Sequence, residues 1–298
     1  MNIVKLSLKQ LAARPLTTSL NIVLLAIGLG TVAILMLFNA QLQDKLLANG
    51  KGVDLVVGAK GSPLQLILST VYHVDIPPGN IPQKEAAKIA KLPFIAKTIP
   101  MALGDNLLGH RIVGTTPDYM ALYGGKLAQG KLWKLSMEAV LGANVAAQSK
   151  LQLGQSFASS HGLTGGGALH DDNKYEVVGI LAPSGTILDD LVLTDMQSVW
   201  DLHEGETSSN AANASKPAAD DEDGIPRDIT ALLVQYSTPL AVLSIPRRIN
   251  AETNMQAASP ALESARLLNI VGFGLDAFRA FALIMIISAG LSVFVALY

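Results

Sequence analysis

The sequence contains no cysteine. That absence excludes a disulfide scaffold, thiol chemistry and cysteine-ligated zinc or iron–sulfur sites, but does not by itself fix a compartment. Charge is scarce as well: 15% of residues are charged and the formal net charge is −2. The long middle of the chain has no dense basic run, so nucleic acid is not an expected partner. Nucleotide and hydrolase signatures are missing too. No G-x-x-x-x-G-K-[ST] occurs, and neither GAKGSP nor GGKLAQ has P-loop spacing, so no ATP site of that kind is expected here. H-E-x-x-H and G-x-S-x-G are also absent.

Apolar residues are what the sequence has in excess: half of it is hydrophobic, and the excess gathers near the two ends. Residues 16–38 (LTTSLNIVLLAIGLGTVAILMLF) and 280–298 (AFALIMIISAGLSVFVALY) carry no charge. A hydrocarbon core of roughly 30 Å takes about 20 helical residues to cross, so two membrane-spanning helices are predicted. A cleaved signal would have a shorter apolar run, about 7–15 residues, and a small-residue cleavage site. The first run leads instead into NAQLQDKLL (39–47), which continues as a helix, so a retained anchor is expected.

Lys5, Lys9 and Arg14 precede the first span, and no acidic residue comes before Asp44. Basic flanks mark the cytoplasmic side, which predicts an inside amino terminus and an outside segment over about 43–269. Lys5 and Lys9, with Val4, Leu8 and Leu11, fit a short interfacial helix and a plain charged flank equally well. Asp276 and Arg279, three apart at the mouth of the second span, are expected to pair and to act as interfacial anchors beside Lys5, Lys9 and Arg14. Small residues at four-residue spacing, Ala26 and Gly30 in the first span and Ser288, Ser292 and Ala296 in the second, are the candidates for close helix packing in the membrane.

Between the spans the sequence predicts many short elements. Residues 54–58 (DLVVG) read as a buried strand, whereas LQLILSTVYHV after it fits helix or strand. Pro82 is expected to open a helix over 83–91. Two strands at 95–103 and 107–115 flank Gly104-Asp105-Asn106 as a hairpin, and a short helix follows at 117–123. Strands are expected at 139–141, 175–181, 191–193 and 229–236, and helices at 143–150, 195–203 and 239–249. Pro260 opens a last helix that feeds the second span. Residues 204–228 are polar, small and acidic, the composition of a flexible insertion. Without regular β-α alternation, the fold class expected is an α+β domain of mixed short strands and helices between transmembrane helices. The boundaries expected are a cytoplasmic segment at 1–15, a span and stalk at 16–42, the α+β domain at 43–260, and a stalk and span at 261–298.

Chemistry is thin. His161 and His170 flank a glycine-rich loop and Asp171 and Asp172 follow, but the spacing matches no metal-ligand pattern and a solvated loop explains it as well. Gly165-Gly166-Gly167 reads as a loop tip rather than an anion nest. No catalytic residue, metal or cofactor is expected.

Several segments, taken in order, carry a resemblance. The entry LAARPLTTSLNIVLLAIGLG, the stretch RIVGTTPDYMALYGGKLAQGKLW, then AVLGANVAAQSKLQLGQSF and YEVVGILAPSGTILDDLVLTDMQSVW resemble the permease subunits of the FtsX/MacB-like ABC transporters. DLVVGAKGSPLQLIL is similar to one bacterial branch of that group. The resemblance implies a bacterial inner-membrane permease with a MacB-like periplasmic domain, working as a homodimer or with a related permease. It implies a separate cytoplasmic ABC ATPase as partner, contact with membrane lipid, and transport by mechanotransmission of a lipoprotein, peptide or small hydrophobic cargo. Members of the group usually have four spans. The sequence stops inside its second, which implies either a piece of a longer permease or a truncated gene product whose transport is in doubt. The alternative, a two-pass sensor, would continue into a cytoplasmic signalling module instead.

Overall fold

The computed structural model describes residues 9, 12–160, 162, 169–207 and 227–297. The chain divides into two compact units, Met1–Lys45 with Ala265–Tyr298, and Leu46–Ser264. The first helix, α1 (Pro15–Gly50), is 36 residues long and has no interior proline. At 1.5 Å per residue it measures about 54 Å, which exceeds a bilayer core of roughly 30 Å.

The domain then begins with β1 (Leu55–Ala59) and α2 (Pro63–Thr70). Here the stretch that periodicity left open resolves as a helix, and the start signal explains why. Ser62 is the N-cap, its side chain accepting from the Gln65 backbone N–H, and Pro63 occupies the first turn. Next come β2 (Ile81–Pro82) and α3 (Gln83–Ala90) behind Pro82. The hairpin follows as β3 (Ile95–Leu107) and β4 (His110–Thr115), but its turn is not at 104–106. Leu107 pairs with His110, so the two-residue turn is Leu108-Gly109, whose φ values of 53° and 87° are those of a type I′ turn. Gly104, Asp105 and Asn106 lie inside the strand.

Helix α4 (Pro117–Leu122), strands β5 (Leu127–Gly130) and β6 (Glu138–Leu141), and α5 (Ala143–Ser149) come next. Strand β7 (Ser156–Ser160) pairs antiparallel with β8 (Leu169–Leu181). The stretch from Leu169 to Asn173 reads in the sequence as part of a loop; it extends β8 because β7 supplies ladder partners down to Ser160↔Leu169. A 3₁₀ turn (Ile187–Asp190), β9 (Val192–Thr194) and α6 (Met196–Thr207) follow, so the helix runs four residues into the stretch expected as insertion. Beyond it, 208–226 lie outside the described residues. The chain returns as β10 (Asp228–Ile229), β11 (Ala231–Tyr236), α7 (Ala241–Glu252), β12 (Met255–Ala258) and α8 (Pro260–Leu297), 38 residues long.

One ten-stranded sheet organises the domain in the order β12-β1-β11-β3-β4-β9-β6-β8-β5, with β7 pairing β3 and β8 off this path. Pairs β4/β9 and β6/β8 are parallel and the other pairs of the sheet are antiparallel. Mixed short strands with helices on both faces make this an α+β fold. On one face, Leu55, Val57, Leu232 and Val234 pack with Ile89 of α3 and Ala241, Ile245 and Ile249 of α7. The i, i+4, i+8 spacing of those α7 residues is what places them on one stripe. A second cluster of buried side chains joins Ile112, Leu141, Phe157, Tyr175 and Val177 to Leu202 of α6. On the side of β1 that Gly58 presents, a Cβ would meet Leu66 of α2 at 2.5 Å, so α2 lies directly on the strand.

Strand β1 lies between β11 and β12, antiparallel to both. The chain therefore enters the sheet from α1 and leaves it into α8 at the same end of β1. In the two-helix unit, Gly28 is the close contact: a Cβ there would meet Ile286 Cγ1 at 2.7 Å. Ala282 and Ala289, seven residues apart on α8, are fully buried.

Candidate functional site

The structure places the membrane-helix residues singled out in the sequence as follows. Ala26 and Ser288 are exposed within the two-helix unit, Ser292 is half-buried, and Gly30 has nothing within 4 Å of an added Cβ. The side chain of Ala296 lies outside the described residues. Arg279 and Asp276 form an ion pair at 2.9 Å. Lys9 and Arg14 are exposed, and Lys5 lies outside the described residues. Neither His161 nor Gly165–Gly167 is described, and 170–172 are described only as backbone of β8. Among the described residues no group of three potential metal ligands gathers.

A different set of residues does come together, at the end of the sheet where both long helices join it. The last turn of α1 and the first turn of α8 belong to the domain unit, since its bounds are Leu46 and Ser264. Tyr72, just after α2, donates from its hydroxyl to the Leu46 carbonyl at 3.3 Å. The same hydroxyl is hydrogen-bonded to Ser264 Oγ on α8. Tyr123, after α4, donates to the Asn49 carbonyl at 3.0 Å, and Asn49 Oδ1 accepts from the Ile187 backbone N–H at 3.1 Å. These bonds satisfy last-turn carbonyls that a helix leaves open. Gln235 Nε2 donates to the Gly52 carbonyl at 2.8 Å, and Asp54 accepts from the Tyr236 N–H at 2.7 Å. Helix ends, turn and sheet are thus tied by six hydrogen bonds. A cleft of about 690 Å³ opens here, lined by Lys51, Lys97, Asp118, Tyr123 and Gln235 among others, with Lys97 and Asp118 paired at 2.7 Å.

Behind the junction lies a buried aromatic cluster. Tyr119 and Tyr123, i and i+4 at the end of α4, meet edge to face at 5.3 Å. Burial raises both phenols above their ordinary value. The hydroxyl of Tyr119 lies 3.0 Å from His73 Nε2. His73 has φ 55°, which swings the chain out of α2 into the loop that follows. Burial, with the nearby Arg111 cation as the lesser cause, lowers its pKa to about 3, so the ring is neutral. Arg111 of β4 is only 6% exposed; burial lowers it to about 10, partly offset by Asp75.

Sequence reasoning missed this junction entirely. Tyr72, Tyr119 and Tyr123 carried no motif, and the partners of Tyr72 are 26 and 192 residues away. The sole local signal was Pro117, which fixes the start of α4 and so puts Tyr119 and Tyr123 on one face.

Fold and junction together define a class: an α+β domain carried between two helices long and apolar enough to cross a membrane. A family model described as the MacB-like periplasmic core domain matches residues 18–263. The chain belongs to that family, within the FtsX/MacB-like ABC transporter permeases. The periplasmic region of MacB from Actinobacillus actinomycetemcomitans is a distant structural likeness, at 13% identity and TM-score 0.44, covering 77% of this chain and 98% of that one. The extracellular domain of the noncanonic ABC-type transporter YknZ from Gram-positive bacteria is another, at 11% identity and TM-score 0.39, covering 70% and 99%. Comparison by sequence with curated proteins gives no match.

Proposed function

We propose that this chain is the permease subunit of an ABC transporter and that it relays movement between the membrane and its outside domain. ATP hydrolysis then belongs to a separate cytoplasmic ATPase. In this reading the amino terminus is cytoplasmic, the domain is periplasmic, the chain crosses the inner membrane more than once, and two permease copies act together. The cargo is a lipoprotein, peptide or small hydrophobic molecule handled outside or within the bilayer.

The single observation that carries the reading is the junction. Tyr72 bonds to both long helices within the domain unit, and Tyr123 and Asn49 fasten the last turn of α1 to α4 and to the 3₁₀ turn. Helix ends bound in this way move with the domain as one piece, which is what a mechanical relay needs. Ala26, Gly30, Ser288, Ser292 and Ala296 are proposed as packing positions for further helices of the complex. Lys5, Lys9, Arg14, Asp276 and Arg279 are proposed as interfacial anchors.

Affinity purification of the permease from its native membrane tests this. A small ATPase is expected to co-purify, with hydrolysis that needs the membrane subunit, and a native complex without any nucleotide-binding component would end the proposal. The double variant Tyr72→Phe with Tyr123→Phe is expected to keep the ATPase bound while lowering transport relative to hydrolysis.

A further inference from the structure

On the face of the sheet that carries α2 and α4, β4 presents a buried cation that no carboxylate clamps among the described residues. Arg111 is 6% exposed, and its one side-chain hydrogen bond among the described residues runs from Nη2 to the Asp75 carbonyl at 3.0 Å. It makes no ion pair among the described residues. Asp75 is the acidic group that acts on it, but the carboxylate is turned to its own loop, with Oδ1 accepting from the Ile76 N–H at 2.7 Å. A buried guanidinium normally has a carboxylate or phosphate bound across its fork of donors.

Beside it, His73 offers a second unused group. Its Nε2 is engaged by the Tyr119 hydroxyl at 3.0 Å, whereas Nδ1 is buried and has no hydrogen-bond partner among the described residues. A buried polar atom left so carries a cost of about 1–3 kcal/mol until something bonds to it. In the neutral ring that donates Nε2–H to Tyr119, Nδ1 is an acceptor. The ionisable groups around the ring are Tyr72 and Asp75 on its own loop, Tyr119 and Tyr123 on α4, and Arg111 on β4.

We propose that Arg111 and His73 form a binding site for a phosphate group that still carries a proton: hydrogen phosphate, or the singly protonated head of a phosphate monoester. Arg111 donates N–H bonds to the charged oxygens, and the P–O–H donates to Nδ1 of His73. The pairing selects against a carboxylate or a sulfate, which are fully deprotonated at neutral pH and have no hydrogen to give. The loop over Arg111 is itself anchored, by Gln65 Nε2 to the Ile76 carbonyl at 3.0 Å and by the Val74 N–H to the Leu68 carbonyl at 3.0 Å. Yet it holds Val74 and Ile76 with 68% and 61% of their surface exposed. Two apolar side chains next to a phosphate site suit a ligand with an acyl or alkyl chain behind its head.

The test uses the full chain in detergent or nanodiscs, with histidine selectively labelled with ¹⁵N. Inorganic phosphate, lauryl phosphate and sulfate are titrated at about pH 6, where both phosphates keep a proton on a large share of the molecules and sulfate does not, while the His73 ring nitrogens are observed and affinity is measured by calorimetry. Phosphate and lauryl phosphate are expected to shift Nδ1 and to bind at least tenfold more tightly than sulfate. Arg111→Gln is expected to weaken both by tenfold or more, and Lys60→Gln to leave them unchanged. Tighter binding of lauryl phosphate than of inorganic phosphate assigns the site to a membrane amphiphile, and equal binding assigns it to a free phosphate compound. Sulfate binding as tight as phosphate, an unmoved Nδ1, or affinity independent of Arg111 would overturn the site. Should Arg111→Gln fail to fold, the phosphate-against-sulfate comparison on the native chain still decides.

Discussion

His73 stays neutral at ordinary pH because its ring is enclosed and stands near the Arg111 cation, which together lower its pKa to about 3. In the unfolded chain a histidine titrates near 6.5. Between those values the unfolded state binds the extra proton, so the stability conferred by the neutral ring is fully present above about pH 6.5 and is lost as pH falls toward 3. At pH 5 the loss amounts to about 2 kcal/mol, at 1.36 kcal/mol per pH unit. His73→Asn, which tolerates the left-handed backbone of this position, is expected to flatten that part of the pH profile. Denaturant unfolding of both proteins at pH 7 and pH 5 checks this, and parallel losses would refute it. Tyr72 is the other residue whose chemistry has a measurable consequence. Tyr72→Phe removes the hydroxyl bonded to Leu46 and Ser264 and is expected to destabilise the domain by about 1–2 kcal/mol, read as a lower denaturation midpoint with an unchanged slope.

At the scale of elements, turn chemistry and helix contacts each allow a directed change. The β3–β4 turn needs positive φ at both central residues, and Leu108, 63% exposed, is a poor residue for it. Leu108→Asn places the preferred Asn-Gly pair in a type I′ turn and is expected to raise stability by about 0.5–1 kcal/mol, seen as a higher melting temperature. In the two-helix unit, Gly28→Val forces a side chain into Ile286, whereas Gly30→Ala meets nothing within 4 Å. The first is expected to cost about 1–3 kcal/mol by overpacking and the second to be neutral, a contrast that thermal melting in detergent can register. Elements were legible where the sequence punctuates them. Pro82, Pro117 and Pro260 stand at the starts of α3, α4 and α8, and alternation or apolar runs mark β1, β6 and β11. Strands β5, β7 and β12 have four or five residues with little alternation, LAQG, SFASS and MQAA, and only their neighbours in the sheet make them strands. The Leu108-Gly109 turn was hidden for a related reason: Gly104-Asp105-Asn106 has the better turn composition, but cross-strand pairing overrides it.

For the whole molecule, membrane helices, α+β class and family membership could be read from the sequence, because apolar runs and ordered segment similarities are local in the chain. The candidate site could not, because it is made by contacts between residues far apart. Tyr72 reaches Ser264 across 192 positions and Asn49 reaches Ile187 across 138. The same long reach governs how the domain must be made. Strand β1 is the first to emerge in synthesis, yet both of its neighbours, β11 and β12, come from the last part of the domain. Until those segments have been delivered to the same side of the membrane, β1 has two open hydrogen-bonding edges and a buried-type sequence, LVVGA, with nothing to cover it. Closing so distant a pair is slow, and open strands invite association with other chains. Biogenesis is therefore the vulnerable stage. A pause or truncation before Ala258 leaves β1 without its β12 partner, and limited proteolysis of chains of increasing length is expected to show β1 protected only once β12 has been supplied.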